Sequence, residues 1–252
     1  MTTPTFPDGA ACWADLGAPD LPAAHAFYEA VAGWSVTAGH PDFGGYATAM
    51  VGDSAVAAIG PLMSGAPPAW TLYFASSDAD ATQAAIVANG GTVLVPADSV
   101  VDFGRMVIAA DPTGAVFGVW EAGTMPGFEL TGATGSWVWC DLRSTDPDAA
   151  RRFYAAVFGY TYQPMEMADA DYMTFWIGEE TIGGMGGMMG APEGTPSHWL
   201  VYFAVADVDA SVAAVTANGG TSLAPPFDTP FGRMAPILDP FGAPLWLMTL
   251  PA

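Results

Sequence analysis

Few residues in this chain of 252 can do chemistry: three histidines, two cysteines and five cations, all of them arginine. Asp141 and Arg143 stand two apart in WVWCDLR, and His198 opens HWLVYFA. Both stretches read as strands, in which residues two apart share a face. A histidine can act as general base near neutral pH, a carboxylate can orient it, and a guanidinium can stabilise an enolate or carboxylate. Together they suit proton transfer, as in an isomerase, cyclase or lyase. Each also has a plainer reading, His198 as a solvated residue at a strand entrance and Asp141 as a structural carboxylate with the partners that burial demands. His25, on a helix, and His40, beside Pro41, read as structural or solvated. Arg105 and Arg233 recur in Phe-Gly-Arg-Met. Pairing with a carboxylate or carbonyl beside the turn is the expectation, and gripping an acidic ligand is the alternative. Cys12 and Cys140 make no disulfide framework and read as buried, reduced thiols.

Composition narrows the partners. Five cations against 26 acids give a net charge of −21. Such a surface repels phosphate backbones and anionic lipid, so neither nucleic acid nor a membrane is an expected partner. No basic-then-apolar leader opens the sequence, and no apolar run reaches the roughly 18 residues that span a bilayer. A cytoplasmic location is the expectation. With 52% hydrophobic residues the chain can bury a substantial core.

The elements that position these residues occur twice. WADLGAPDLPAAHAFYEAVAGW, from Trp13, returns 126 residues later as WCDLRSTDPDAARRFYAAVFGY, from Trp139. WTLYFASSDADATQAAIVANGGT matches WLVYFAVADVDASVAAVTANGGT, and FGRMVIAADPTGAVFGVW matches FGRMAPILDPFGAPLWLM. A period this long means two tandem domains rather than a solenoid. They are expected at 8–122 and 134–250, with the boundary in the Gly/Thr-rich stretch 121–135. Asp146 reads as an N-cap with Pro147 at the first helical position. Ala150, Phe153, Tyr154 and Val157 form one apolar helical face, and Gly159 stops the helix. Asp20, Ala24, Phe27, Tyr28, Val31 and Gly33 repeat this pattern. Second helices are expected near 79–89 and 208–218, with strands filling the rest. The fold class is α+β, four βαβββ units in two domains.

This ordered set resembles the vicinal oxygen chelate superfamily, which includes glyoxalase I, extradiol dioxygenases and bleomycin-binding proteins, and in particular the tandem type often labelled "hydroxylase". The resemblance implies curved, mostly antiparallel sheets that form cups, with a metal, where one is used, held by His, Gln or Glu on cup-lining strands. Those positions fall here on Trp13 and Trp139, near Thr71 and Leu200, and on Gly118 and Trp246. The stretches SAVAAIGPLM and TIGGMGGMMG, where the remaining ligand belongs, contain neither an acid nor a histidine. These side chains do not suit a divalent metal. No metal and no cofactor are therefore expected. A metal-dependent glyoxalase, lyase or dioxygenase would need ligands from elsewhere, such as His198, Glu121 or Glu179.

With Trp139 pointing into the cup, strand alternation adds Trp137, Asp141 and Arg143. It also brings in His198, Leu200 and Tyr202, then Trp246 and Met248, while the Gly- and Met-rich stretch 183–190 supplies Met185 as an adaptable apolar wall. The first domain offers Trp13, Asp15, Tyr73 and Trp120, but it has Gly17 in place of Arg143 and Ala69 in place of His198. The main site is therefore expected in the second domain. His198, Asp141 and Arg143 are its candidate catalytic groups. Trp137, Trp139, Tyr202, Trp246, Met185 and Met248, with Trp13 and Tyr73, are its candidate ligand-binding groups. The expected partner is an apolar, aromatic or polyketide-like small molecule, and the chain is expected to be a monomer or a weak homodimer.

Overall fold

A computed structural model describes residues 5–165 and 171–251. Three βαβββ segments and a fourth with one extra short strand follow one another. The first holds β1 (Ala11–Ala18), α1 (Leu21–Ala32), β2 (Ser35–Val36), β3 (Ala47–Val51) and β4 (Ser54–Pro61). The second holds β5 (Ala69–Ala75), α2 (Ala79–Ala88), β6 (Thr92–Val100), β7 (Gly104–Ala110) and β8 (Val116–Ala122). The third holds β9 (Trp137–Arg143), α3 (Pro147–Phe158), β10 (Thr161–Pro164), β11 (Tyr172–Ile177) and β12 (Glu180–Gly186). The fourth holds β13 (His198–Ala204), α4 (Val208–Ala217), β14 (Thr221–Ser222), β15 (Phe227–Thr229), β16 (Gly232–Leu238) and β17 (Pro244–Thr249). One sheet has the order β2-β3-β4-β1-β5-β8-β7-β6; the other runs β10-β11-β12-β9-β13-β17-β16-β14, with β15 paired to β16.

Local chemistry explains the helix limits. The Asp146 carboxylate accepts from Ala149 N at 2.9 Å, Pro147 takes the first helical position, and Gly159 ends α3 at a φ of 73°. Asp20, with its bond to Ala23 N, and Gly33, at a φ of 72°, do the same for α1. An aspartate at each helix start satisfies an orphan N–H and also complements the helix dipole. No helix among the described residues is long and apolar enough to cross a membrane.

The contacts gather into two compact units. One takes the chain up to Trp13 together with Leu72–Gly127 and Trp139–Leu200; the other takes Ala14–Thr71, Phe128–Val138 and Val201 onward. Each unit thus builds its core from both halves of the sequence. In the first, Tyr154 of α3 meets Phe74, Phe117 and Trp199, and the Trp199 indole donates to the Tyr154 hydroxyl at 2.9 Å. In the second, Tyr28 of α1 stacks on Trp34, Trp70 donates to its hydroxyl at 3.1 Å, and Phe203 packs edge-on against Trp34. The Phe-Tyr pairs of α1 and α3 therefore each stand at the centre of an aromatic core.

The recurring Asp-Pro turns are structural. Asp111 Oδ1 accepts from the amides of Thr113 and Ala115, and Asp239 Oδ1 accepts from those of Phe241 and Ala243. Burial pushes both carboxyls above their ordinary range. The recurring arginines pair with acids: Arg105 lies 2.9 Å from Asp80, and Arg233 lies 2.6 Å from Asp209 and 3.0 Å from Asp228.

Candidate functional site

Strand β9 presents Trp139, Asp141 and Arg143 on one face. Its parallel neighbour β12 sets Gly184 opposite Asp141 and Gly186 opposite Arg143. Strand β11 then brings in Tyr172, the register partner of Gly186. Trp139, Arg143 and Tyr172 close around the Asp141 carboxylate. Oδ1 accepts from the Tyr172 hydroxyl at 2.6 Å and from the Trp139 indole at 3.0 Å, and Oδ2 accepts from Arg143 Nη2 at 2.8 Å. The Trp139 indole also lies 3.3 Å from the Tyr172 hydroxyl. The Arg143 guanidinium sits over the Tyr172 ring, 5.6 Å from its centroid, and its Nη1 faces the Met189 sulfur.

Electrostatics and sterics hold this cluster. Asp141 is 2% exposed, and a carboxylate so buried is tolerable only with a counter-charge and hydrogen-bond donors. Three side chains supply them. Burial pushes the Tyr172 phenol upward, and the Asp141 charge adds to the rise. The hydroxyl therefore stays protonated and donates. Glycine at position 184 is a packing requirement, because a Cβ there would strike the Tyr172 hydroxyl and the Asp141 carboxylate. The result is a preorganised patch of one indole, one phenol and one guanidinium, all fixed by a single carboxylate.

The other candidate residues fall in several places. His198 opens β13, half-buried, with Nδ1 2.8 Å from the Pro196 carbonyl. Met185 is fully buried and registers with Leu142, so Gly184 rather than Met185 stands opposite Asp141. In the other compact unit Tyr202 and Trp246 are register partners across β13 and β17, with rings stacked at 5.3 Å and 13°. Phe227 meets Trp246 edge-on, and Met248 is 7% exposed. Trp137 stacks on Phe128 at 5.5 Å, and its buried Nε1 has no hydrogen-bond partner among the described residues. In the first half, Trp13 and Tyr73 are buried, Tyr73 registers with Gly118, and Trp120 donates to the Met125 carbonyl at 2.9 Å. Cys12 and Cys140 are buried free thiols, and desolvation pushes both upward, which makes them poor nucleophiles.

Sequence reasoning missed Tyr172 and its counterpart Tyr46. Tyr46 donates to Asp15 at 3.1 Å. The two tyrosines stand 126 residues apart, the spacing that also separates Asp15 from Asp141. That shared offset was the available signal, in a stretch with little other identity.

Metal chemistry needs a different donor set. The positions on which the resemblance would place metal ligands hold Trp, Thr, Leu and Gly. Among the described residues no three of His, Cys, Asp or Glu come together as a metal site would require. The residues present do not fit a divalent metal.

The family described as the Glyoxalase/Bleomycin resistance protein/Dioxygenase superfamily matches residues 12–119 and again 137–247. The chain belongs to that superfamily, as a tandem two-domain member. Among individual proteins, it is 40% identical over 246 residues to "Putative glyoxylase CFP32" of Mycobacterium tuberculosis, covering 94% of both chains. It is 37% identical over 254 residues to "Anthracycline biosynthesis protein DnrV" of Streptomyces peucetius, covering 94% of this chain and 92% of that one. The fold is similar to the Mn(II)-bound glyoxalase from Novosphingobium aromaticivorans, with a TM-score of 0.69 and 15% identity over 96% of this chain and 82% of that one.

Proposed function

We propose that the protein is a metal-free small-molecule-binding protein whose site is the Asp141 cluster in the domain 134–250. Its ligand is an apolar, aromatic or polyketide-like metabolite. The observation that carries this reading is the buried Asp141 carboxylate, which holds Trp139, Tyr172 and Arg143 in one arrangement. A fully paired buried charge is weak evidence for stability, since apolar residues often serve as well. It does give a ligand three side chains that need no further ordering. The half-buried rings of Trp139 and Tyr172 offer flat surface for stacking, and Arg143 is the donor for a carbonyl or carboxylate. Two further points support the reading: one relative is named for anthracycline biosynthesis, and the donor set does not suit a metal.

The test is a titration with quinizarin, a planar dihydroxyanthraquinone, followed by tryptophan fluorescence. Saturable quenching is expected, with quinizarin recovered at unchanged mass and affinity lowered about ten-fold in Tyr172→Phe. Absence of quenching, or quenching equal in the variant, contradicts the site. Conversion of the ligand to a product that disappears in His198→Ala would instead establish a proton-transfer enzyme.

A further inference from the structure

Tyr172 is the member of the Asp141 cluster that opens a strand, β11. Strand ends fray unless something ties them down. Arg151 of α3 supplies a tie. Its Nη2 donates to Asp171 Oδ1 at 2.5 Å and to the Asp171 carbonyl at 3.1 Å. One nitrogen thus grips both the side chain and the main chain of the residue before Tyr172. Arg151 is itself held: its Nη1 donates to Asp148, one turn earlier on the helix, at 3.1 Å, and the Tyr162 hydroxyl donates to its carbonyl at 2.9 Å. Glycine at position 186 leaves room for the gripped residue, since a Cβ there would stand 2.8 Å from the Asp171 carbonyl oxygen.

This pairing is a poor source of stability. Arg151 is 8% exposed, and its Nε is buried with no hydrogen-bond partner among the described residues. Asp171 is half-exposed and Asp148 more so. A guanidinium taken out of water against partly solvated carboxylates regains little of its desolvation cost. The geometry it fixes is the start of β11. The first half of the chain has no such tie, because His25 and Gly45 stand 126 residues before Arg151 and Asp171. The phenol–carboxylate bond there is 3.1 Å, against 2.6 Å between Tyr172 and Asp141.

We propose that Arg151 is a positioning residue of the ligand site, acting through Asp171 to fix the direction of Tyr172. This rests on the reading of the Asp141 cluster as a ligand site. Arg151 works from α3, behind the strand, and reaches the ligand only through Tyr172. A ligand that stacks on a phenol already held in place loses less binding free energy to ordering it.

The experiment is a double-mutant cycle on quinizarin binding by the whole chain, followed by tryptophan fluorescence, with urea midpoints recorded alongside. Arg151→Met keeps the apolar stem and removes the grip. It should weaken quinizarin about five-fold in the wild-type background and less than about two-fold in the Tyr172→Phe background. Arg151→Lys keeps a charge for Asp171 and should recover part of the loss. Asp171→Ala removes only a half-exposed carboxylate and should weaken binding about two- to three-fold, so it carries the test where Arg151→Met does not fold. Wild-type affinity in either Arg151→Met or Asp171→Ala would overturn the positioning role and leave the site standing. So would an Arg151→Met loss as large in the Tyr172→Phe background, or an Arg151→Lys loss as large as that of Arg151→Met. Wild-type affinity in Tyr172→Phe contradicts the ligand site itself, and the positioning role with it.

Discussion

The two halves of the chain place a tyrosine on an aspartate at matched positions, yet they build different surroundings for the pair. Asp141 is 2% exposed and accepts from Tyr172 at 2.6 Å, whereas Asp15 is half-buried and accepts from Tyr46 at 3.1 Å. The register partner of Asp141 is Gly184; that of Asp15 is Ala58. The missing Cβ at position 184 leaves room for the Tyr172 hydroxyl, which a methyl there would strike. Deeper burial then needs a counter-charge, which Arg143 supplies and Gly17 does not. At Asp141 a glycine in register, a closer phenol, deeper burial and a guanidinium occur together, and at Asp15 none of them does.

The comparison predicts unequal responses to equal substitutions, read as urea-unfolding free energies. Asp141→Ala leaves Arg143 buried beside no carboxylate and should cost about 3 kcal/mol or more. Asp15→Ala should cost about 1 kcal/mol, and equal losses would remove the distinction. Gly184→Ala drives a methyl into the Tyr172 hydroxyl and should cost about 1–3 kcal/mol, whereas Ala58→Gly should cost about 1 kcal/mol or less. Tyr172→Phe removes a donor from a buried carboxylate, at about 1.5–3 kcal/mol, against about 0.5–1.5 kcal/mol for Tyr46→Phe.

The smallest effect concerns a feature on which the halves agree. Burial raises the folded-state carboxyls of both Asp111 and Asp239 above the ordinary 3.8. Above that value the unfolded chain releases the proton first, so the folded state binds more protons and loses stability as pH rises. The contribution is fully present below pH 3.8 and is lost as pH climbs through the raised folded value. Asp239→Asn keeps an acceptor for the amides of Phe241 and Ala243 and should remove this part of the slope. A pH series of unfolding midpoints with identical slopes in both proteins would contradict the assignment.

The fold was legible because its signals are local. Asp146, Pro147 and Gly159 mark a helix without reference to the rest of the chain, and Phe153 and Tyr154 show which face it buries. Strand alternation was likewise enough to group Trp139, Asp141 and Arg143. Tyr172 was not legible, because what brings it to Asp141 is the register of β11 on β12 and of β12 on β9. A slip of one residue reverses every face, and Met185 shows the consequence: it lies beside Leu142, while its neighbour Gly184 faces the carboxylate. The makeup of the two compact units was also hidden. That α1 shares a unit with α4, and α2 with α3, follows from long-range packing rather than from any stretch of sequence.

Native mass spectrometry of protein purified without chelator, with and without added quinizarin, tests the central claim most directly. The account predicts a metal-free chain that takes up quinizarin, with the adduct unaffected by chelator and diminished in Tyr172→Phe. A stoichiometric divalent-metal adduct that chelator removes, together with loss of quinizarin binding, would contradict it.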